Sequence, residues 1–331
     1  MSPWRIILAA TAFEASAAAA VLALLALGGA WNPWLDALTH FAPLILFLGL
    51  LSVVLTLVAL KGRSRRVTLG LAALGVAVPA ALMAPDLSAR VWESLHPAPA
   101  GKAPLKVLTF NTWTENFAPT PTLDLILKSG ADVIALQEDQ TLVPQNNRIN
   151  AIYPYRAECD PAWACGSAIL SKRPITAKGH TQRTVLWHRY GFEAIWATTT
   201  APDGQPVTLL TTHFAWSLPP EAQMEQRRGL IEHVRALSGA NPIVTGDLNS
   251  TPWSFALKGL DAGMKPLSRR THARFSWPAN VARVDRPFPL PLVPIDHIYA
   301  PPIWRTVSIE RLERTGSDHY GLLATFARAP N

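Results

Sequence analysis

Two hydrophobic rhythms divide this chain. Over the first 85 residues the apolar positions run on without a polar face; beyond residue 105 they alternate with polar ones in short stretches. Ile6–Ala30, whose only charged residue is Glu14, is long enough at about 1.5 Å per residue to cross a hydrocarbon core of roughly 30 Å. Phe41–Leu60 carries Pro43 in its first turn, and Val67–Ala84 has Pro79 near its end. These runs are apolar on all sides rather than along one stripe, which predicts three transmembrane helices over about 6–30, 41–60 and 67–84. A cleaved signal peptide is the rival reading of the first run, given Arg5 ahead of it and the small residues at 28–30, but the run is long for that role. Glu14 is read as a helix-packing contact, with a functional group in the bilayer as the other reading.

The later rhythm predicts strands at 106–110, 133–136, 167–170, 192–199, 207–212, 295–299, 307–311 and 322–327. Helices are expected at 123–129, 221–237 and 254–260. Leu230, Ile231, Val234 and Leu237 share one face of the second of these helices. Pro242–Pro252 stands out because two β-branched residues, Ile243 and Val244, lead through Gly246 to Asp247 and Asn249 before Ser250-Thr251-Pro252 turns the chain. That is a buried strand delivering polar groups at its tip. Alternating elements give an α/β class, and the Pro-rich 287–294 reads as an extended loop.

Composition supports the division. Hydrophobic residues make up 49% of the 331 and charged ones only 16%, which is apolar for a wholly soluble chain. The net charge of +7 is spread thinly: the part from residue 104 onward has 23 basic and 19 acidic groups and no concentrated basic stripe. Lys61–Arg66 holds four basic residues and no acid, which places that turn in the cytoplasm and the chain beyond the third helix outside it. The organisation is therefore an anchor over 1–85, a Pro-rich linker over 86–104 and a folded domain over 105–331. Cys159 and Cys165, too few for a disulfide scaffold or a four-cysteine zinc site, could pair with each other in an oxidising compartment.

Gly246-Asp247-Leu248-Asn249-Ser250-Thr251-Pro252 resembles the central motif of the endonuclease/exonuclease/phosphatase superfamily, metal-dependent phosphoesterases that include pancreatic deoxyribonuclease and the neutral sphingomyelinases. Phe110-Asn111, Gln137-Glu138, Thr212-His213, Ile295-Asp296-His297 and Ser317-Asp318-His319 follow the family's order, so the resemblance covers about the last two thirds of the chain. The family commonly has proline within two residues after the last motif, where this chain has Tyr320-Gly321.

The resemblance implies two sheets packed face to face with helices outside, a four-layer α/β/β/α sandwich behind the three transmembrane helices. It implies Glu138, Asn111 and Asp318 at the metal, with Asn111 holding the metal-binding acid or the phosphate. Asp247 would orient the attacking water, Asn249 would donate to the phosphoryl oxygens, and His213 would bind the phosphate or protonate the leaving group. Asp296 and His319 would be a paired acid and imidazole, with the formal base open between Asp247 and His319. Magnesium suits such hard oxygen donors, manganese being the alternative. Zinc would need clustered nitrogen or sulfur ligands, which the sequence lacks. Each residue also has a plainer reading, as a strand-end turn residue, a solvated acid or a structural histidine. Trp113, Trp216 and Trp253, each just behind a motif, are candidates for the pocket rim.

The expectation is a multi-pass inner-membrane protein with a periplasmic phosphoesterase domain. Its partners would be a phosphoester substrate and the bilayer, with a lipid-linked or small phosphodiester slightly preferred. Nucleic acid is the alternative, an inactive phospho-ligand-binding membrane protein is the reading from another class, and no protein partner is implied.

Overall fold

The structure, a computed structural model, describes residues 3–159, 166–183, 192–281 and 284–330. The chain forms two compact units: residues 1–89 with 250–259, and residues 90–249 with 260–331.

The helical unit contains α1 (Pro3–Leu27), the short α2 (Pro33–Asp36), α3 (Ala42–Ala59) and most of α4 (Gly62–Leu95). Three stretches, Pro3–Ala30, Pro33–Ala59 and Gly62–Leu95, are long and apolar enough to cross a membrane. Their packing inverts that of a soluble bundle. Phe13, Val21, Leu24, Phe47, Val54 and Val58 are exposed, while Ser16, Ser52, Thr56 and Thr68 are buried. Small residues let the backbones meet: a Cβ at Gly49 would lie 2.7 Å from the Gly75 backbone, and one at Gly75 would lie 2.5 Å from Ala19 Cβ. Between helices in lipid, close backbone approach and hydroxyl hydrogen bonds replace the hydrophobic drive that the solvent no longer supplies.

Glu14 differs from expectation. It lies on the exposed side of α1 rather than at a helix contact. The third helix also runs further than its apolar pattern, to Leu95, taking in Pro79, Pro85 and the first part of the segment read as a linker. Asp86–Leu95 is rich in helix-tolerant Leu, Ala, Arg and Glu, and although each proline removes an amide donor and crowds the carbonyl four residues back, helices of this apolar kind tolerate it. At the tight turn before α4, Arg65 donates to the Leu60 carbonyl at 2.7 Å and the Leu57 carbonyl at 3.0 Å. It thereby satisfies groups that the end of α3 leaves orphaned.

The second unit is built on two six-stranded sheets. β1 (Leu105–Asn111), β2 (Val133–Gln137), β3 (Tyr155–Glu158) and β4 (Ser167–Ser171) join β11 (Trp304–Arg311) and β12 (Leu322–Arg328) in the order β11-β12-β1-β2-β4-β3. The other sheet, β5-β6-β7-β8-β10-β9, uses β5 (Ala177–Arg183), β6 (Phe192–Thr200), β7 (Pro206–His213), β8 (Ile243–Asp247), β9 (Ser268–Arg269) and β10 (Asp296–Ala300). Each sheet has one parallel pair at its centre, β1 with β2 and β7 with β8, flanked by antiparallel neighbours. α5 (Pro119–Lys128) and α6 (Asn146–Asn150) contribute Leu123, Ile126 and Ile149 to a core on the outer face of the first sheet. α7 (Pro220–Ala236) lies so close to the second that a Cβ at Gly229 would fall 2.7 Å from the Phe192 ring. The result is the α/β/β/α sandwich that the sequence resemblance implied. The remaining helix, α8 (Phe255–Gly263), follows the β8 loop.

Strand alternation explains why this fold makes a site. Leu105 and Val107 enter the core between the sheets, while Leu108 and Phe110 face the outer helices. Continuing the period of two puts Thr109 and then Asn111 on the shared inner face. The same count runs Leu209, Thr211, His213 on β7, Ile243, Thr245, Asp247 on β8, and Ala300, Ile298, Asp296 on β10. On β7 and β8 the layer between the sheets thus passes from aliphatic to hydroxyl to ionisable within five residues. Gln137 Nε2 donates to Thr211 Oγ1 at 2.8 Å, closing the sheets together just beneath the polar end.

Cys159 is disulfide-bonded, and its expected partner Cys165 lies outside the described residues.

Candidate active site

Asn111, His213 and Asp247 arrive at the carboxyl ends of parallel strands, and Glu138 immediately follows β2. Register then sets the neighbours: Asp247 stands between His213 and Asp296 in its sheet. By alternation Glu138 would face the outer helices, but its backbone is left-handed, at φ 52°, and turns the side chain back toward Asn111. Asn249 and Trp113 are also left-handed, at 45° and 61°. Three such residues beside one cluster are a concentration of backbone strain that packing must hold.

Asn111 Nδ2 donates to Glu138 Oε1 and to Asp247 Oδ2, each at 3.0 Å, tying the two sheets' acids together. Its Oδ1 accepts the Trp113 amide at 2.9 Å, which fixes the orientation of the side-chain amide. In this arrangement Asn111 holds the carboxylates through its nitrogen. Glu138 Oε2 accepts from the Thr114 amide at 2.9 Å and its hydroxyl at 2.7 Å. Burial alone would raise the Glu138 carboxyl, but the bonds from Thr114 and Asn111, with His213 nearby, bring it below the ordinary value.

On the other side, His319 Nδ1 lies 2.8 Å from Asp296 Oδ2, and its Nε2 lies 3.5 Å from Asp247 Oδ2 and 3.9 Å from Asp318 Oδ1. Burial opposes charging this imidazole. Asp296, Asp247 and Asp318 overcome that and hold it well above the usual histidine range. The same logic depresses Asp247 to about 2: burial would raise it, but the charge on His319 and the bond from His213 dominate. His213 Nε2 lies 3.5 Å from Asp247 and 3.8 Å from Glu138, and it too is raised, against burial, by Asp247 first and Glu138 second. Asp247 Oδ1 accepts the Asn249 amide at 2.9 Å, while Asn249 Nδ2 donates to the Phe214 carbonyl at 2.8 Å and lies 3.5 Å from His213.

All eight residues singled out in the sequence therefore fall in one cluster. Asp247, Asp296 and His319 are buried, while Glu138, His213 and Asp318 keep about a quarter of their side-chain surface open. Three supporting groups, Thr114, Trp277 and Glu193, were not foreseen, and a fourth, Ser317, was named only as part of its motif. Thr114 holds Glu138, and Trp277 Nε1 donates to Asp318 Oδ2 at 3.0 Å. Ser317 Oγ donates to the Asn111 carbonyl at 2.8 Å and accepts the His319 amide at 3.0 Å. Glu193, pushed up to about 7 by burial and only partly relieved by His213, is a further acid beside the cluster. Of the expected rim tryptophans, Trp253 is fully buried and belongs to the core. Trp216 is 62% exposed and stacks edge-on against Trp277, and Trp113 packs edge-on against Phe117.

The residues fit a hard divalent cation. Asp318 Oδ1 is a buried carboxylate oxygen with no hydrogen-bond partner among the described residues. Burial first, and the neighbouring charges of Glu138 and Asp247 second, raise the Asp318 carboxyl, so a cation placed there would relieve the crowding of acids. Ligand atoms of Asp247, Asp296 and His319 also lie within 4.8 Å of one another. That triad is the poorer cradle, because both His319 nitrogens already face carboxylates.

A sandwich whose two sheets deliver acids, an amide and two imidazoles to one end defines a site for charged, oxygen-rich substrates. The chain belongs to the endonuclease/exonuclease/phosphatase family, whose model matches residues 108–319, and members of that family hydrolyse phosphoester bonds. Solved structures agree on the fold. A family protein from Bacteroides thetaiotaomicron is 16% identical at a TM-score of 0.56, over 69% of this chain and 98% of that one. A mannosyl-6-phosphatase from the same organism is 16% identical at 0.53, over 67% and 99%. D. rerio TDP2, solved with a single-strand DNA product, is 17% identical at 0.55, over 68% and 100%. No curated protein matches the sequence.

Proposed function

We propose that this chain is a membrane-anchored, magnesium-dependent phosphodiesterase whose catalytic unit lies outside the cytoplasm. The observation that carries the reading is the continuous chain of contacts Glu138–Asn111–Asp247–His319–Asp296, which ties an open acid to a buried acid–imidazole pair across the two sheets. Glu138 and Asp318 are the residues that would hold the cation. Magnesium there would neutralise phosphate charge and, with manganese as the substitute, act as a Lewis acid.

The chain's own groups supply the rest. Asp247, ionised at neutral pH, orients a water through Oδ2 for attack on phosphorus. Asp296 fixes the His319 ring so that Nε2–H points away from it, toward Asp247 and a phosphoryl oxygen. Asn249 and His213 are placed to donate to charge that grows on the phosphoryl and leaving oxygens as the phosphorus–oxygen bond breaks.

A lipid-linked or small phosphodiester is the preferred substrate. Anchoring raises the encounter rate with molecules in the same membrane, and the domain lacks a basic stripe that would track a polyanion. Arg269, Arg270 and Arg274, ahead of the last motifs, are candidates for nucleic-acid phosphates, but Arg269 is buried against Asp261, Arg274 is buried as well, and Arg270 is half-buried. The nuclease reading retains the DNA-bound structure of TDP2 in its favour. A side-by-side assay of the full-length protein with magnesium on phospholipid or sphingomyelin vesicles and on plasmid DNA decides between them. Hydrolysis in the vesicles supports the preference, and DNA nicking with inert vesicles reverses it.

A further inference from the structure

Residues 250–259 follow the Asp247–Asn249 loop directly, yet they belong to the compact unit formed by the helices. Two side chains from the segment joining α1 to α3 hold them there. Asp36, 5% exposed, accepts the Phe255 amide on Oδ1 at 2.8 Å and the Ala256 amide on Oδ2 at 2.7 Å. The next two amides of α8 go to Ser254, Leu257 to its hydroxyl at 3.1 Å and Lys258 to its carbonyl at 3.1 Å. All four donors that a helix start leaves unpaired are thus accounted for, two of them by a carboxylate some 220 residues away.

Four residues beyond Asp36, His40 Nδ1 accepts the Thr251 amide at 3.2 Å and lies 2.9 Å from the Thr251 hydroxyl. A backbone N–H can only donate, so Nδ1 is unprotonated here. Asp36 is itself braced, because the buried Thr39 hydroxyl donates to its backbone carbonyl at 2.5 Å and lies 3.2 Å from its Oδ1. Thr251 stands two residues beyond Asn249, whose left-handed backbone is held on its near side by Asp247 Oδ1. Such a conformation persists only where the surroundings over-determine it.

We propose that residues 32–41 are a positioning element of the candidate active site, with Asp36 and His40 as its positioning residues. Turnover then depends on the membrane unit as well as on the sandwich. The catalytic consequence rests on the phosphodiesterase reading, whereas the docking itself does not.

The test uses full-length protein in detergent and compares wild type with Asp36→Asn, Asp36→Glu and the milder His40→Ala. Backbone hydrogen exchange is read at residues 249–257, and hydrolysis of bis(4-nitrophenyl) phosphate is measured with magnesium. Asp36→Asn should speed exchange at Phe255 and Ala256 by about tenfold or more, and His40→Ala should do so at Thr251. Both should lower kcat by about 10- to 100-fold with KM little changed, and Asp36→Glu should recover part of the loss. Unchanged exchange overturns the docking, and faster exchange with unchanged kcat overturns the positioning role. If Asp36→Asn fails to fold, His40→Ala alone decides by the same two readings. If wild type is inert on the probe, the phosphodiesterase reading fails, and exchange at Asn249 and Thr251 alone decides whether the segment holds the loop.

Discussion

His319 shows how the site converts burial into function. An isolated buried imidazole would lose its proton, but this one faces three carboxylates, and Asp296 grips the nitrogen that points away from the reaction. Asp296→Asn should leave the fold intact while lowering kcat by about 10²- to 10⁴-fold, because the ring loses both its charge partner and its orientation; steady-state kinetics with a circular dichroism control checks this. Glu193 makes the opposite case of an acid that burial keeps neutral up to about 7. Its folded pKa is raised above the ordinary 4.5, so its contribution to stability is fully present below 4.5 and is lost as pH rises through 7. Glu193→Gln should therefore melt with wild type at pH 4.5 but several degrees above it at pH 8. The difference corresponds to on the order of 1–3 kcal/mol and is read by thermal unfolding in detergent.

At the scale of elements, the β8 strand and its exit are the most constrained piece of chain. Gly246 has φ 153°, and a Cβ there would sit 2.0 Å from the Thr212 carbonyl oxygen of the neighbouring strand. Gly246→Ala should cost about 3 kcal/mol or more and lower the melting temperature sharply, whereas Gly259→Ala, which meets nothing within 4 Å, should not. This strand was legible in the sequence, and so were the others at the sheet centres, because burial on one or both faces imposes an apolar pattern. The three strands that were not foreseen, β3, β5 and β9, are all sheet edges. Ala-Lys-Gly-His-Thr-Gln-Arg of β5 has no alternation to read, yet it pairs with β6 along its whole length. Site residues follow the same rule. Asn111, His213, Asp247 and Asp296 show themselves as polar endings of apolar strands. Thr114 and Trp277 act from loops, and Asp36 acts from between two apolar helices, so neither period nor motif marks them.

At the scale of the molecule, the three apolar helices and the sandwich carry different evidence about where the protein sits. Trp31, Trp34 and Trp92 are exposed near the ends of spans that alternation puts on one side, and Lys61 with Arg63, Arg65 and Arg66 lies at the opposite ends. A basic turn at one set of span ends is the arrangement expected when that turn is cytoplasmic, whereas exposed tryptophans mark both sets of ends, Trp4 lying with the basic turn. A phosphatase reporter joined after Asn331 should therefore be active and a cytoplasm-dependent fluorescent one dark; the reverse result would invert the topology. The proposed function turns on whether the cluster at the sheet ends hydrolyses phosphoesters with a divalent cation held by Glu138 and Asp318. Its most direct test is hydrolysis of bis(4-nitrophenyl) phosphate by full-length wild type, Glu138→Gln and His319→Ala, before and after chelation and magnesium return. Chelator should abolish wild-type turnover and magnesium restore it, with both variants folded and slower by about 10³-fold or more. Turnover that survives chelation, or a near-normal His319→Ala enzyme, would contradict it.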